Sequence, residues 1–254
     1  MIERPAQVDA FRAAYDAVQA RISAACERAA REPSTVTLIA ISKTVEAERL
    51  RVAVDAGITT LGENRVQEAE GKVDALPGVT WHLVGPLQSN KARRALETFD
   101  VIQTVDSIGL AERLDRLARE VRGAGPASRY AVLLQVNVDD DPSKTGFRPA
   151  ELEASLGAII ALPRLDVRGL MTIGRQVDRP EDARVTFVAL RELAGRLRAK
   201  DQRLGPELSM GMTDDFEVAI EEGATIVRVG RALFGERPHV HDHGHGGGEA
   251  DHGH

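Results

Sequence analysis

The chain has 254 residues, 43% hydrophobic and 28% charged, with a formal net charge of −6. This suits a soluble globular protein with a substantial core and argues against a general binder of nucleic acid or acidic membranes. Cys26 is the single cysteine, which excludes an internal disulfide and a cysteine-based metal cluster.

The N-terminal stretch is charged and is no secretory signal, and no window reaches the roughly 18 apolar residues of a membrane span. A cytoplasmic location is expected. The first element predicted is a helix, because Phe11, Ala14, Val18, Ile22, Ala25 and Ala29 recur at spacings of three and four, with Pro33 closing it. Apolar runs at 36–42, 59–62, 79–84, 100–105, 130–138, 166–173, 207–212 and 225–229 then read as strands. Stretches of helical period such as "EAERLRVAVDAG" separate them, and Gly57 and Gly223 stand where helix C-caps belong.

Runs such as "YAVLLQVNV" are apolar nearly throughout, as in a parallel sheet covered on both faces. Eight such units in about 200 residues fit a single α/β domain, a (β/α)8 TIM barrel with an extra N-terminal helix. An open doubly wound sheet is the alternative, but its first turn would carry a glycine-rich GxGxxG, and here it reads "SKTVEAER". The barrel is expected over residues 1–237. The tail, 238–254, holds six of the seven histidines among glycines, has nothing to bury and is expected to be disordered. Its His-x-His spacing suits Zn²⁺ or Ni²⁺, or the tail is a neutral extension.

In a barrel the C-terminal strand ends converge on one mouth, where active sites of this fold lie. The first strand ends on Lys43, the second on "GEN" with Asn64, and the third on "WHLVGPLQSNK" with His82 and Gly85. Beside a low-dielectric core, desolvation favours the neutral amine of a lysine, the form that attacks a carbonyl. Ser209, Gly211 and Thr213 precede a helix expected to begin near Asp214, whose open N–H groups suit an anion. Gly230 allows close backbone approach between Arg228 and Arg231, and barrels often hold phosphate between the loops after strands seven and eight. A lysine facing such a cradle suits a phosphorylated aldehyde held as a Schiff base, and pyridoxal 5′-phosphate (PLP) meets that description. On spacing alone these glycines serve equally well as turns.

The segments "IAISKT", "LGENRVQEAEGK", "WHLVGPLQSNKAR", "IQTVDS", "QVNVDDDPSKTGF", "RGLMTI", "SMGMTDDFEVAIEEGATIVRVG" and "ALFGER" together resemble the pyridoxal-phosphate homeostasis protein family (the YggS/PROSC type), in order, from about residue 10 to 237. That family is similar to the N-terminal barrel domain of alanine racemase. The resemblance implies PLP on Lys43, Asn64 and Met171 lining its ring, and Arg228 near the pyridine nitrogen. It implies a phosphate held by Ser209, Gly211, Thr213, Gly230 and the Arg231 backbone. The family often has Thr or Ser at position 231; with Arg231 here, either the backbone N–H or the guanidinium would meet the phosphate. The implied role is buffering or delivery of vitamin B6 vitamers, with PLP-dependent apo-enzymes as partners and a monomeric chain.

Little or no amino-acid turnover is expected, so no catalytic residue is assigned. An arginine does not readily give up a proton to the ring nitrogen, which makes the ring a poorer electron sink. Racemisation also needs a second base, and of the two tyrosines Tyr15 falls on the first helix and Tyr130 at the start of the fifth strand. The competing readings are a Schiff-base aldolase on a barrel or a weak PLP-dependent racemase. Among other polar groups, His82 is expected as a hydrogen-bonded histidine inside the barrel. Asp139, Asp140 and Asp141 are expected in a solvated loop rather than on a metal, with Lys144 and Gly146 forming a lid or a turn. Lys91, Arg93 and Arg94 are expected on a solvated helical face.

Overall fold

Near-continuous apolar runs can only be strands if both faces of their sheet are covered, and the structure meets that demand by closing the sheet. This computed structural model describes residues 4–122 and 129–235; the disorder and metal binding expected of 238–254 lie outside the described residues. Eight parallel strands form a closed barrel in sequential order, β1 next to β8. They are β1 (Thr37–Ile41), β2 (Thr60–Glu63), β3 (Thr80–Leu83), β4 (Val101–Val105), β5 (Tyr130–Gln135), β6 (Leu165–Met171), β7 (Glu207–Met212) and β8 (Ile226–Val229).

Helix α1 (Arg4–Arg28) precedes the barrel. The helices around it are α2 (Ala47–Asp55), α3 (Val66–Val73), α4 (Ala92–Thr98), α5 (Ile108–Arg122), α6 (Pro149–Ile160), α7 (Arg184–Lys200), α8 (Phe216–Glu221) and α9 (Arg231–Phe234). Gly57 and Gly223, with φ of +110° and +99°, follow α2 and α8 as the C-cap reading requires.

Two differences from expectation trace to an Asx side chain. The fifth strand stops at Gln135, not 138, because Asn137 turns the chain: its Nδ2 donates to Asp141 O at 2.8 Å and its Oδ1 accepts from Asp141 N at 3.1 Å. The helix expected near Asp214 starts at Phe216, because the Asp215 carboxylate accepts from Met212 N at 2.6 Å and caps the turn first.

Packing divides into two hydrophobic clusters. The larger lies between sheet and helices and takes in Phe11, Val18, Ile22, Ala25 and Cys26 of α1, the face its periodicity marked. That face covers α8, α9 and α2, so α1 seals the seam where β8 meets β1. The smaller cluster, Ile39, Val101, Ala131, Leu133, Met171 and Ile226, with Ile41 and Ile173 against it, fills the barrel interior. Successive strand residues face opposite ways, so the interior cluster identifies which parity of each strand points inward.

Candidate functional site

On β1 the inward residues are Ile39 and Ile41, and Lys43 continues that parity just past the strand end, half-buried. The residue after it, Thr44, has a φ of +64°, a conformation a β-branched side chain rarely adopts. Such strain concentrates at functional sites. Behind Lys43, on the outward side, Ser42 is tied down on several sides. Its N donates to Gly62 O at 2.9 Å, its Oγ to Glu63 Oε1 at 2.8 Å, and its carbonyl accepts from Lys72 Nζ at 2.9 Å. Lys72 also forms an ion pair with Glu63, whose side chain is fully buried. The peptide that leads into Lys43 is therefore held from α3 and β2 together.

Across the seam, β8 turns Ile226 and Arg228 inward, and Gly230 follows in the same parity as the N-cap of α9. A Cβ on Gly230 would stand 3.4 Å from the Ile41 Cβ, which places this turn beside the end of β1, two residues from Lys43. Gly230 N donates to Thr213 Oγ1 at 3.3 Å, joining the loops after β7 and β8. Arg21 of α1 steadies this corner: it pairs with Glu217 at 2.6 Å, donates to Thr213 O at 3.3 Å and lies 4.4 Å over the Phe216 ring.

The nine residues expected at the site fall into three groups. Lys43, Asn64, Thr213 and Gly230 are half-buried at the mouth ends of β1, β2, β7 and β8. Met171, Ser209 and Arg228 are buried inside the barrel. Gly211 and Arg231 have other surroundings. At a φ of +90°, a Cβ on Gly211 would meet the Ala219 Cβ at 2.5 Å, so this glycine lets α8 lie against β7. The exposed Arg231 guanidinium pairs with Asp214. Helices α8 and α9 span six and four residues, so local N–H groups count here for more than a helix dipole.

A polar layer lies within the barrel. Arg228 donates from Nη1 to Ser209 Oγ at 2.7 Å and from Nη2 to Thr172 O at 2.8 Å. Ser209 Oγ donates to Gln103 Oε1 at 2.6 Å, and Gln103 Nε2 lies 2.8 Å from His82 Nδ1. Burial, with the Arg168 charge adding to it, pushes the His82 pKa down to about 4, and burial lowers that of Arg228 to about 10 against the opposing pull of Asp215. Gln135, the last residue of β5, donates from Nε2 to Thr145 O at 2.9 Å, while its buried Oε1 has no partner among the described residues. Gln103 and Glu63 were missed in the sequence; the available signal was a polar residue inside each of the apolar runs "VIQTV" and "TLGE".

The other polar groups resolve locally. Asp139 is tied to Arg175 and, at 2.7 Å, to Thr186, so it anchors its loop rather than standing in solvent. Gly146 has a φ of +130° where the loop folds back against Asn137. Arg93 and Arg94 pair with Glu120 and Glu70 on the surface. Among the described residues, no cluster of three or more His, Cys, Asp or Glu is arranged to hold a metal ion. No described helix is long and apolar enough to cross a membrane.

Residues 13–238 match the family described as alanine racemase, N-terminal domain. A pyridoxal phosphate homeostasis protein of Pseudomonas aeruginosa is 45% identical over 223 residues, covering 87% of this chain and 93% of that one. Its Escherichia coli counterpart is 41% identical over 230 residues, covering 87% and 94%. The structure of PipY from Synechococcus elongatus with PLP bound superposes with a TM-score of 0.73 at 43% identity, covering 86% of this chain and 100% of that one. With its barrel and with identity along almost the whole length of these relatives, the chain belongs to the pyridoxal phosphate homeostasis protein family, within the alanine racemase N-terminal-domain family.

Proposed function

We propose that the protein binds PLP at Lys43 and serves vitamin B6 homeostasis by buffering the cofactor or delivering it to PLP-dependent apo-enzymes. The observation that carries this reading is the pairing across the β1–β8 seam: a half-buried lysine two residues past the end of one strand, and a buried arginine followed by a close-approach glycine on the other. The residues present fit the cofactor. The buried Gln135 Oε1 is an acceptor left open at the mouth end of β5, and Arg228 supplies a buried cation on the inward face. PipY, at 43% identity, was determined with PLP bound.

When bound, PLP supplies an aldehyde carbon that a lysine amine can attack. The chain's own residues do the rest. Lys43 provides the amine, on a backbone braced by Ser42, Glu63 and Lys72. Asn64 and Met171 would line the ring, and Arg228 would meet its nitrogen as a donor that keeps its proton. Thr213 with the Gly230 and Arg231 backbone would hold the phosphate. Gly211 contributes by letting α8 close up, and Ser209 contributes by bracing Arg228, since its single proton already goes to Gln103.

Little or no amino-acid turnover is proposed. The Tyr130 hydroxyl bonds to Phe99 O at the N-terminal end of β5, and Tyr15 accepts from Gln19 Nε2 on α1, so neither tyrosine supports a base opposite Lys43. Purified protein mixed with PLP is expected to gain a visible absorbance band that Lys43→Ala lacks, and to turn over D- or L-alanine at no more than background rate. A colourless wild type would end the PLP reading, and racemisation at ordinary enzyme rates would end the non-catalytic one.

A further inference from the structure

Gln103 is fully buried within β4 and bonds at its two ends to different strands: to Ser209 of β7 through Oε1, and to His82 of β3 through Nε2. The donors along this chain have one consistent direction. A guanidinium only donates, so Ser209 Oγ accepts from Arg228. The hydroxyl then has one proton to give, and the acceptor within reach is the Gln103 carbonyl oxygen, at 2.6 Å. The amide NH2 is left facing His82, whose Nδ1 must accept, so the imidazole proton sits on Nε2. Reversing the amide would aim two donors at Ser209 and remove the acceptor for its own proton.

We propose that Gln103 is a positioning residue that orients Ser209, through it fixes the Arg228 guanidinium, and holds His82 as the neutral Nε2–H tautomer. Its consequence for the cofactor rests on the PLP reading above, because Arg228 is the group proposed to meet the ring nitrogen. The arrangement itself belongs to the unliganded chain.

Long-range 1H–15N correlation of histidine side chains in the full, unliganded chain at neutral pH reads the tautomer, with His82 identified by comparison with His82→Asn. An Nε2–H signal is expected; an Nδ1–H tautomer or an imidazolium overturns the assignment. Two variants extend the test. Gln103→Glu keeps an acceptor for Ser209 but replaces the NH2 that faces His82, so His82 is expected to carry a proton on Nδ1 while PLP affinity stays within about threefold of wild type. Gln103→Leu removes both ends and is expected to weaken PLP binding roughly tenfold, one buried hydrogen bond's worth, with a shifted visible spectrum. Wild-type affinity and spectrum in Gln103→Leu would overturn the positioning role. Should the wild type itself take up no PLP, the cofactor reading fails, and the tautomer alone decides the role of Gln103.

Discussion

Inside the barrel, two layers are separated by a step of two residues along each strand. Ile39 and Ile41 lead to Lys43, Val101 to Gln103, Leu133 to Gln135, and Ile226 to Arg228. The lower layer is hydrocarbon and needs no partners. The upper layer is polar, and apart from the half-buried Lys43 its members are as buried as the hydrocarbon below, where each unpaired group costs about 1–3 kcal/mol. That cost is met by the chain from Arg228 to His82, and Gln135 Oε1 is left over. Labour is divided between them: the lower layer supports the fold, and the upper layer carries the fixed polar groups. The two layers should therefore respond differently to substitution.

The largest effect is expected just behind the upper layer. Lys72→Met leaves Glu63 buried without its counter-charge, which should cost about 3–5 kcal/mol in denaturant unfolding. Combining it with Glu63→Met should recover much of that loss. If Lys72→Met is as stable as wild type, the ion pair does not brace the Lys43 peptide. In the lower layer, Leu133→Ala should cost roughly 3 kcal/mol through lost burial and a cavity, while PLP affinity of the folded fraction stays unchanged. A matching drop in affinity would show that the layers are not separate.

His82 gives a pH test of the upper layer. Burial lowers its folded pKa from 6.5 to about 4, so the unfolded chain takes up the proton first as pH falls. Its contribution is complete above pH 6.5 and is lost progressively down to about 4, by ~3 kcal/mol in all. Unfolding midpoints of wild type and His82→Gln should therefore converge between pH 7 and pH 4.5 relative to their separation at neutral pH, and parallel curves would contradict the buried neutral imidazole. The smallest effect on stability belongs to Gln135→Leu. The substitution removes an acceptor with no partner among the described residues together with the Nε2 bond to Thr145 O, so it should cost only about 1 kcal/mol, yet weaken PLP binding. An unchanged affinity would detach Gln135 from the site.

Much of the fold was legible because parallel strands covered on both faces announce themselves as apolar runs: β7 begins and ends where expected, and the other strands fall within a few residues. The end of β5 and the start of α8 were not legible, because Asn137 and Asp215 compete locally with the backbone, and the winner depends on neighbours the run does not reveal. The placement of Lys43, Asn64, Thr213 and Gly230 at strand ends could be read because topology brings those ends to one mouth. Pairings such as Gln103 with both Ser209 and His82 depend on register around the closed sheet, which no single segment encodes. Ser209 shows the consequence: its hydroxyl is engaged by Gln103 of β4 and Arg228 of β8.

The proposed function turns on where the cofactor attaches. The full chain should be saturated with PLP, reduced with borohydride and digested, and the modified peptide sequenced. The pyridoxyl label is expected on the peptide carrying Lys43, with none above background in Lys43→Ala. Label on Lys72, Lys144 or any other lysine in the wild type, or no label at all, would contradict it.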